Sequence, residues 1–301
     1  SVGGPNLKDV GHALRPVISA RVKEKADGPG LNVIVCENWK GAAETLRGAV
    51  GDQVDEIANS LIGIAEATVM RSSIDPTAEQ RLQDPLSLQV QDYWQLDVDA
   101  ANLVEPLPHI LGLRPVNNFQ HELERKIFTY NMANATIAYT GWLKGYALLS
   151  EAANDPVIAR LASRAHDQVN EALARLYGFD RQEQRRYALE AMRKFQNSYI
   201  TDPIARQVRD PMRKLGRDDR LVGPAMMALS EDVSPTAIAV GIAAALRYRN
   251  ADDPSAEELR ELVDQLGDVE ALRRITGLEV GAPLLATTEA AMAELDEIVA
   301  R

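Results

Sequence analysis

Between Glu124 and Gly141 the chain reads ERKIFTYNMANATIAYTG, which sets a lysine, Lys126, and two asparagines, Asn131 and Asn134, into a helical pattern. At 100° per residue they fall at about 0°, 140° and 80°, a face broad enough to line a cleft. A lysine buried beside amides and apolar walls has its pKa lowered and can serve as a general base. Asparagine amides can hold an alkoxide as it develops. The same three residues also fit a solvated helix face with incidental amides. A second polar pair, Glu37 and Asn38, follows directly on the apolar run LNVIVC. Ligands collect at the carboxyl ends of parallel strands, so this pair is placed to meet one, although Asn38 equally suits the cap of the next helix. A third candidate is the stretch from Ala191 to Arg220, with eight Lys and Arg against four Asp. Arg206, Arg209 and Arg213, with Lys214 beside them, share one helical face if Pro211 does not break the run. Guanidinium forks suit phosphate or carboxylate, and a surface network with the local Asp residues is the other reading.

The elements that must position these residues change character along the chain. Leu31 to Cys36 reads as a buried strand behind the turn DGPG, with helices expected at Lys8 to Lys25 and from Gly41 to about Ile64. Extended pieces are expected at Glu66 to Arg71 and Leu86 to Leu96, and the proline-rich Glu105 to Asn118 as a connection. From Phe119 the pattern is helical almost throughout. Helices are expected at Asp155 to Leu176, at Arg181 to Phe195 with Asp180 as cap, at Ser234 to Arg249 with Ser234 as cap, at Ser255 to Gly267 and at Thr287 to Ala300. The fold class expected is mainly α: part of an α/β domain with additional strands over residues 1–112, then a large all-helical domain over 113–301.

The totals narrow the function. The chain has 301 residues, 46 % of them hydrophobic and 26 % charged, the composition of a globular protein. No apolar run is long enough to span a membrane. Cys36 is the only cysteine and the four histidines are scattered, so no disulfide and no metal centre is expected, and a cytoplasmic setting fits. A net charge of −11 argues against nucleic acid or an anionic membrane as the main partner. The start, SVGGPNLKDV, lacks the features of a secretory signal and an initiator methionine, which suits a processed chain or part of a longer one.

Taken in order, SVGGP, LNVIVCEN, ERKIFTYN, LYGFD, KFQNSYI, DPMRKLGRDDRLVGP, VGIAAALRYRNADDPSAEEL and ITGLE resemble the mannitol-1-phosphate 5-dehydrogenase family, within the polyol-specific long-chain dehydrogenases. The resemblance implies the C-terminal part of a Rossmann-type domain followed by the helical domain. It implies hydride transfer without metal between NAD, with NADP not excluded, and a secondary alcohol of a polyol or sugar phosphate. Lys126 matches the family's general base, and Asn38 and Asn131 its two oxygen-holding amides. Arg206, Arg209, Arg213 and Lys214 fall in its basic motif, as candidates for a substrate phosphate, with Asn134 as a further substrate contact. Val2, Gly3, Gly4, Glu37 and Asn38 are the candidates for cofactor contact. A monomer or small homo-oligomer is implied. Two positions depart from the family pattern: Asn134 stands where it has histidine, and Met70, in Val69-Met70-Arg71, where the phosphate-specific enzymes carry an acid. The phosphate-binding glycine turn, GxGxxG, is also absent, so the chain is expected to bind NAD poorly as it stands. The competing expectation is a catalytically silent paralogue that binds a sugar phosphate or a protein; a GxGxxG encoded upstream of Ser1 would favour the enzyme.

Overall fold

The computed structural model describes residues 3–24, 28–37, 40–51, 61–71, 73–74, 76–90, 93–107 and 109–300. The chain divides into two compact units, Ser1–Leu123 and Glu124–Arg301.

In the first unit, α1 (Leu7–Glu24) leads to β1 (Leu31–Val35), α2 (Ala42–Val50) and β2 (Ile62–Thr68). β1 and β2 run parallel, Leu31 opposite Ile62 and Val35 opposite Glu66. Every residue of β2 is buried, so its sequence IGIAEAT shows no polar alternation. That is why the expected helix to Ile64 is wrong at its end: Ile62 to Ile64 belong to this strand. The short pair β3 (Ser73–Ile74) and β4 (Gln89–Val90) flanks α3 (Ala78–Gln83). β5 (Leu96–Asp99) then pairs antiparallel with β2, and β6 (Leu113–Val116) parallel with β5. β6 corrects the expectation of a bare connection there. It carries Pro115 and lies at the edge of the order β1-β2-β5-β6, where a missing N–H is tolerated. Leu7, Ile18, Leu46, Val50, Ile62 and Ile64 form the core between helices and sheet.

α4 (Phe119–Lys126) carries the chain into the second unit, which is helical. After a wide turn at Ile127–Asn131 comes α5 (Met132–Leu143), followed by α6 (Leu149–Asn154), α7 (Pro156–Tyr177) and α8 (Arg181–Gln196). α7 starts on the Asp155 carboxylate, which accepts from Val157 N and Ile158 N, and ends at Gly178 in the left-handed conformation. α8 starts, as expected, on Asp180, which accepts from Glu183 N at 2.8 Å. Two short helices, α9 (Ile204–Gln207) and α10 (Pro211–Lys214), precede α11 (Val222–Ser230) and α12 (Thr236–Leu246). α13 (Pro254–Leu266), α14 (Asp268–Thr276) and α15 (Pro283–Ala300) complete the unit.

Residues Ala237 to Leu246 of α12 are all buried, the pattern of a core helix. Its expected Ser cap is not used. The N–H groups of Ala237 and Ile238 donate to Gln168 Oε1 of α7, at 3.1 and 3.3 Å. Gly241 lets α12 approach α5 closely: a Cβ there would lie 2.5 Å from the Thr136 hydroxyl.

Candidate active site

Lys126 ends α4 with 5 % of its surface exposed. Burial, then repulsion from Arg220 and Lys194, lowers its pKa to about 7, against the opposing pull of Asp219. Much of the amine is therefore neutral at neutral pH, as a base requires.

The turn after it is not α-helical. Met132 N–H reaches back five residues to Ile127 O, so Ile127–Asn131 is a π turn, which acts as one residue inserted into the helix. One inserted residue rotates the downstream helix back by about 100°, moving Asn131 to about 40° and Asn134 to about 20° from Lys126. The three polar residues therefore share a narrower face than α-helical spacing predicts. Both asparagines are half-buried, with side-chain amides that hydrogen-bond no other described residue.

Cationic and aromatic side chains lie around Lys126. Tyr130 packs edge to face with Tyr187 (ring centroids 4.9 Å apart) and with Phe195 (6.2 Å). Lys194 Nζ lies 5.7 Å from the centre of the Tyr130 ring, and burial lowers its pKa to about 8 despite Asp202. Arg220 Nε donates to Asp219 Oδ1 at 2.7 Å. Neither Lys194 nor Arg220 was among the expected site residues, although seven-residue spacing puts Lys194 on the Tyr187 face of α8 and is a usable signal.

The basic stretch is arranged otherwise than expected. Pro211 does break the run: Asp210 takes a left-handed conformation and α10 starts anew, so Arg206, Arg209 and Arg213 do not share one helix. Arg206 and Arg209 are exposed, and Arg213 is paired with Asp210 (2.6 Å) and Asp219 (3.1 Å). Lys214 turns inward. Its ammonium donates to the carbonyls of Gln207 and Arg209 and lies 5.6 Å from the Tyr139 ring centre, which ties the turn between α9 and α10. Burial, with Arg220 and Arg213 nearby, lowers its pKa to about 7.

In the first unit, Gly3 N donates to Glu37 Oε1 at 2.9 Å, which joins two of the expected cofactor contacts just past the carboxyl end of β1. Gly3 has φ +81° and Gly4 opens a 3-10 turn. Val2 and Asn38 lie outside the described residues. Among the described residues, no helix is long and apolar enough to cross a membrane.

The first unit is thus a small sheet with parallel β1 and β2, and the second is helical and carries a buried lysine of lowered pKa. The chain belongs to the mannitol dehydrogenase family: residues 1–112 match the mannitol dehydrogenase Rossmann domain and residues 118–300 the mannitol dehydrogenase C-terminal domain. It is 35 % identical over 285 residues to a mannitol-1-phosphate 5-dehydrogenase of Bacillus velezensis, covering 93 % of this chain and 74 % of that one. It is 32 % identical to the enzyme of that name from Thermoanaerobacter pseudethanolicus, over 95 % of this chain and 73 % of the relative. Its fold matches Pseudomonas fluorescens mannitol 2-dehydrogenase, solved as a ternary complex with NAD and D-mannitol. The TM-score is 0.75 at 19 % identity, over 100 % of this chain and 72 % of the other.

Proposed function

We propose that the protein is an NAD-dependent dehydrogenase of a polyol or sugar phosphate, with residues 1–112 as the Rossmann-type part and 113–301 as the substrate domain. The observation that carries this reading is the buried amine of Lys126, its pKa lowered to about 7 by burial and nearby cations, on one face with two half-buried amides.

The residues present fit a dinucleotide in one respect: Gly3 and Glu37 meet past the carboxyl end of a parallel strand, where such ligands lie. Val2, Gly4 and Asn38 are assigned to the same contact by the family resemblance. NAD, when bound, supplies the hydride acceptor. The chain's own part is proton transfer and charge placement. Neutral Lys126 takes the hydroxyl proton of the alcohol, and its burial keeps the competing water away. Asn131 donates a hydrogen bond to the oxygen as it becomes negative, and the family resemblance gives Asn38 the role of a second amide. Asn134, an amide where the family has histidine, can orient a substrate hydroxyl but cannot take up a proton, so Lys126 alone carries the acid–base step. Arg206 and Arg209 offer cationic forks to the substrate phosphate, while Arg213, paired with Asp210 and Asp219, and Lys214 shape the turn that carries them. The working environment is cytoplasmic.

The experiment is a screen of polyol phosphates with NAD, followed by absorbance of the reduced nicotinamide, on the full-length gene product as parent and on its Lys126→Ala variant. The parent is expected to oxidise at least one substrate and the variant to lose roughly 100-fold or more in kcat while melting cooperatively. Normal turnover in Lys126→Ala would remove this lysine from the mechanism.

A further inference from the structure

The π turn at Ile127–Asn131 is held from outside its own helix. At its centre Thr129 is fully buried, and its hydroxyl and its carbonyl, which also accepts from Met132 N–H, are engaged by other helices. Its carbonyl lies 3.1 Å from His166 Nε2 on α7, and its hydroxyl accepts from Gln184 Nε2 on α8 at 2.9 Å. A carbonyl can only accept, so the imidazole carries its proton on Nε2. Burial lowers the pKa of that ring to about 4, so it stays neutral and keeps this tautomer across the physiological range.

Gln184 reaches further. It also donates to Asn170 Oδ1 at 3.0 Å and accepts from Arg125 Nε at 2.7 Å. The Arg125 guanidinium lies over the rings of Phe179 (4.8 Å) and Tyr187 (4.4 Å). One glutamine therefore ties the residue before Lys126 to the middle of the turn that comes after it. A π turn is a rare local choice, and buried polar groups satisfied in it favour it over the α-helical one.

We propose that His166 and Gln184 are positioning residues that hold Ile127–Asn131 in its wide form and so keep Asn131 and Asn134 on the face of Lys126. Without them the segment relaxes toward α-helical spacing, and the amides swing back to about 140° and 80° from the lysine. The proposal rests on the reading of Lys126 and Asn131 as reacting groups, but the latch has readouts that need no turnover.

The test compares His166→Leu, which removes the donor, with His166→Gln, which supplies another. Three quantities are read: kcat and KM, hydrogen exchange of the 127–135 backbone, and the titration of Lys126 after reductive methylation with 13C-labelled formaldehyde. His166→Leu is expected to lower kcat by roughly 100-fold, as misplacement by about 1 Å does, with KM nearly unchanged. It should also speed exchange across 127–132 and move the Lys126 midpoint upward from about 7. His166→Gln should restore most of all three. A folded His166→Leu with unchanged exchange, titration and kcat would overturn the proposal, as would a His166→Gln as impaired as His166→Leu, which would leave only packing volume. Should His166→Leu fail to fold, Thr129→Val removes the Gln184 bond alone, and unaltered exchange and kcat in it would also overturn the latch. Altered exchange and titration in a protein inactive on every polyol phosphate would support the latch and sink the dehydrogenase reading instead.

Discussion

Burying the Lys126 ammonium costs free energy in its charged form, and the charges of Arg220 and Lys194 add to the cost. The folded chain therefore binds this proton only below about 7, whereas an unfolded chain holds it up to about 10.4. Between those values the unfolded state carries more protons, so stability rises with pH across that window and is lowest below it. Lys126→Met lacks this slope. It is expected to be more stable than the parent near pH 7, by on the order of 3 kcal/mol, with the gap closing toward about pH 10. Urea denaturation of both proteins at three pH values checks this, and parallel stability curves would contradict it. The same titration governs rate: alcohol oxidation should rise with pH through about 7 as the neutral amine becomes available. An inactive variant more stable than its parent is the usual mark of a group retained for chemistry at the expense of folding.

At the scale of elements, the start of α7 rests on one side chain. Asp155 caps it and is paired with Lys144 at 2.7 Å and with the Tyr146 hydroxyl at 2.8 Å. Burial alone would raise its carboxyl pKa, but these partners and two backbone N–H groups outweigh it and hold the value at about 2. The folded pKa is depressed, so its stabilisation is present above about 3.9 and is lost as pH falls toward 2. Asp155→Ala is expected to cost about 3 kcal/mol near neutrality, measured by thermal melts, with the difference from the parent shrinking in acid. An equal difference at every pH would count against the ion pair.

Elements of this kind were legible in the sequence because their signals are local: the Asp180 cap and the apolar run of β1 each act within a few residues, although β1 is not the buried strand expected, since only Val35 in it is buried. β2 was misread at its start because a strand buried on both faces shows no alternation, and β6 because Pro115 reads as a breaker unless the strand is known to be an edge. Lys126 and Asn131 stood out by residue type, but the π turn between them did not. Its selecting contacts come from His166 and Gln184, 37 and 55 residues away from Thr129. The Arg206 to Arg213 face failed for a local reason that the sequence did show, Pro211.

Across the whole molecule, charge is unevenly spread. The chain carries −11 overall, yet Ala191 to Arg220 holds twice as many cationic as anionic residues, with Arg206 and Arg209 exposed. A local positive field in an acidic protein attracts a dianionic substrate and is screened by salt. The KM for a polyol phosphate is therefore expected to rise several-fold between about 0.05 and about 0.5 M salt, while that for an uncharged polyol stays level. Steady-state kinetics on the pair decide it, and equal salt dependence would detach the island from substrate binding. The close approach of α12 to α5 bears on inheritance rather than chemistry. Gly241 lies apart from the candidate reacting groups, yet a Cβ there would lie 2.5 Å from the Thr136 hydroxyl, so Thr136, on the helix that carries Asn134, must shift to admit it. A cell inheriting an alanine at this position would make an enzyme with every reacting group intact that works when cool and is lost when warm. Gly241 is thus where a conditional allele of this gene is to be sought.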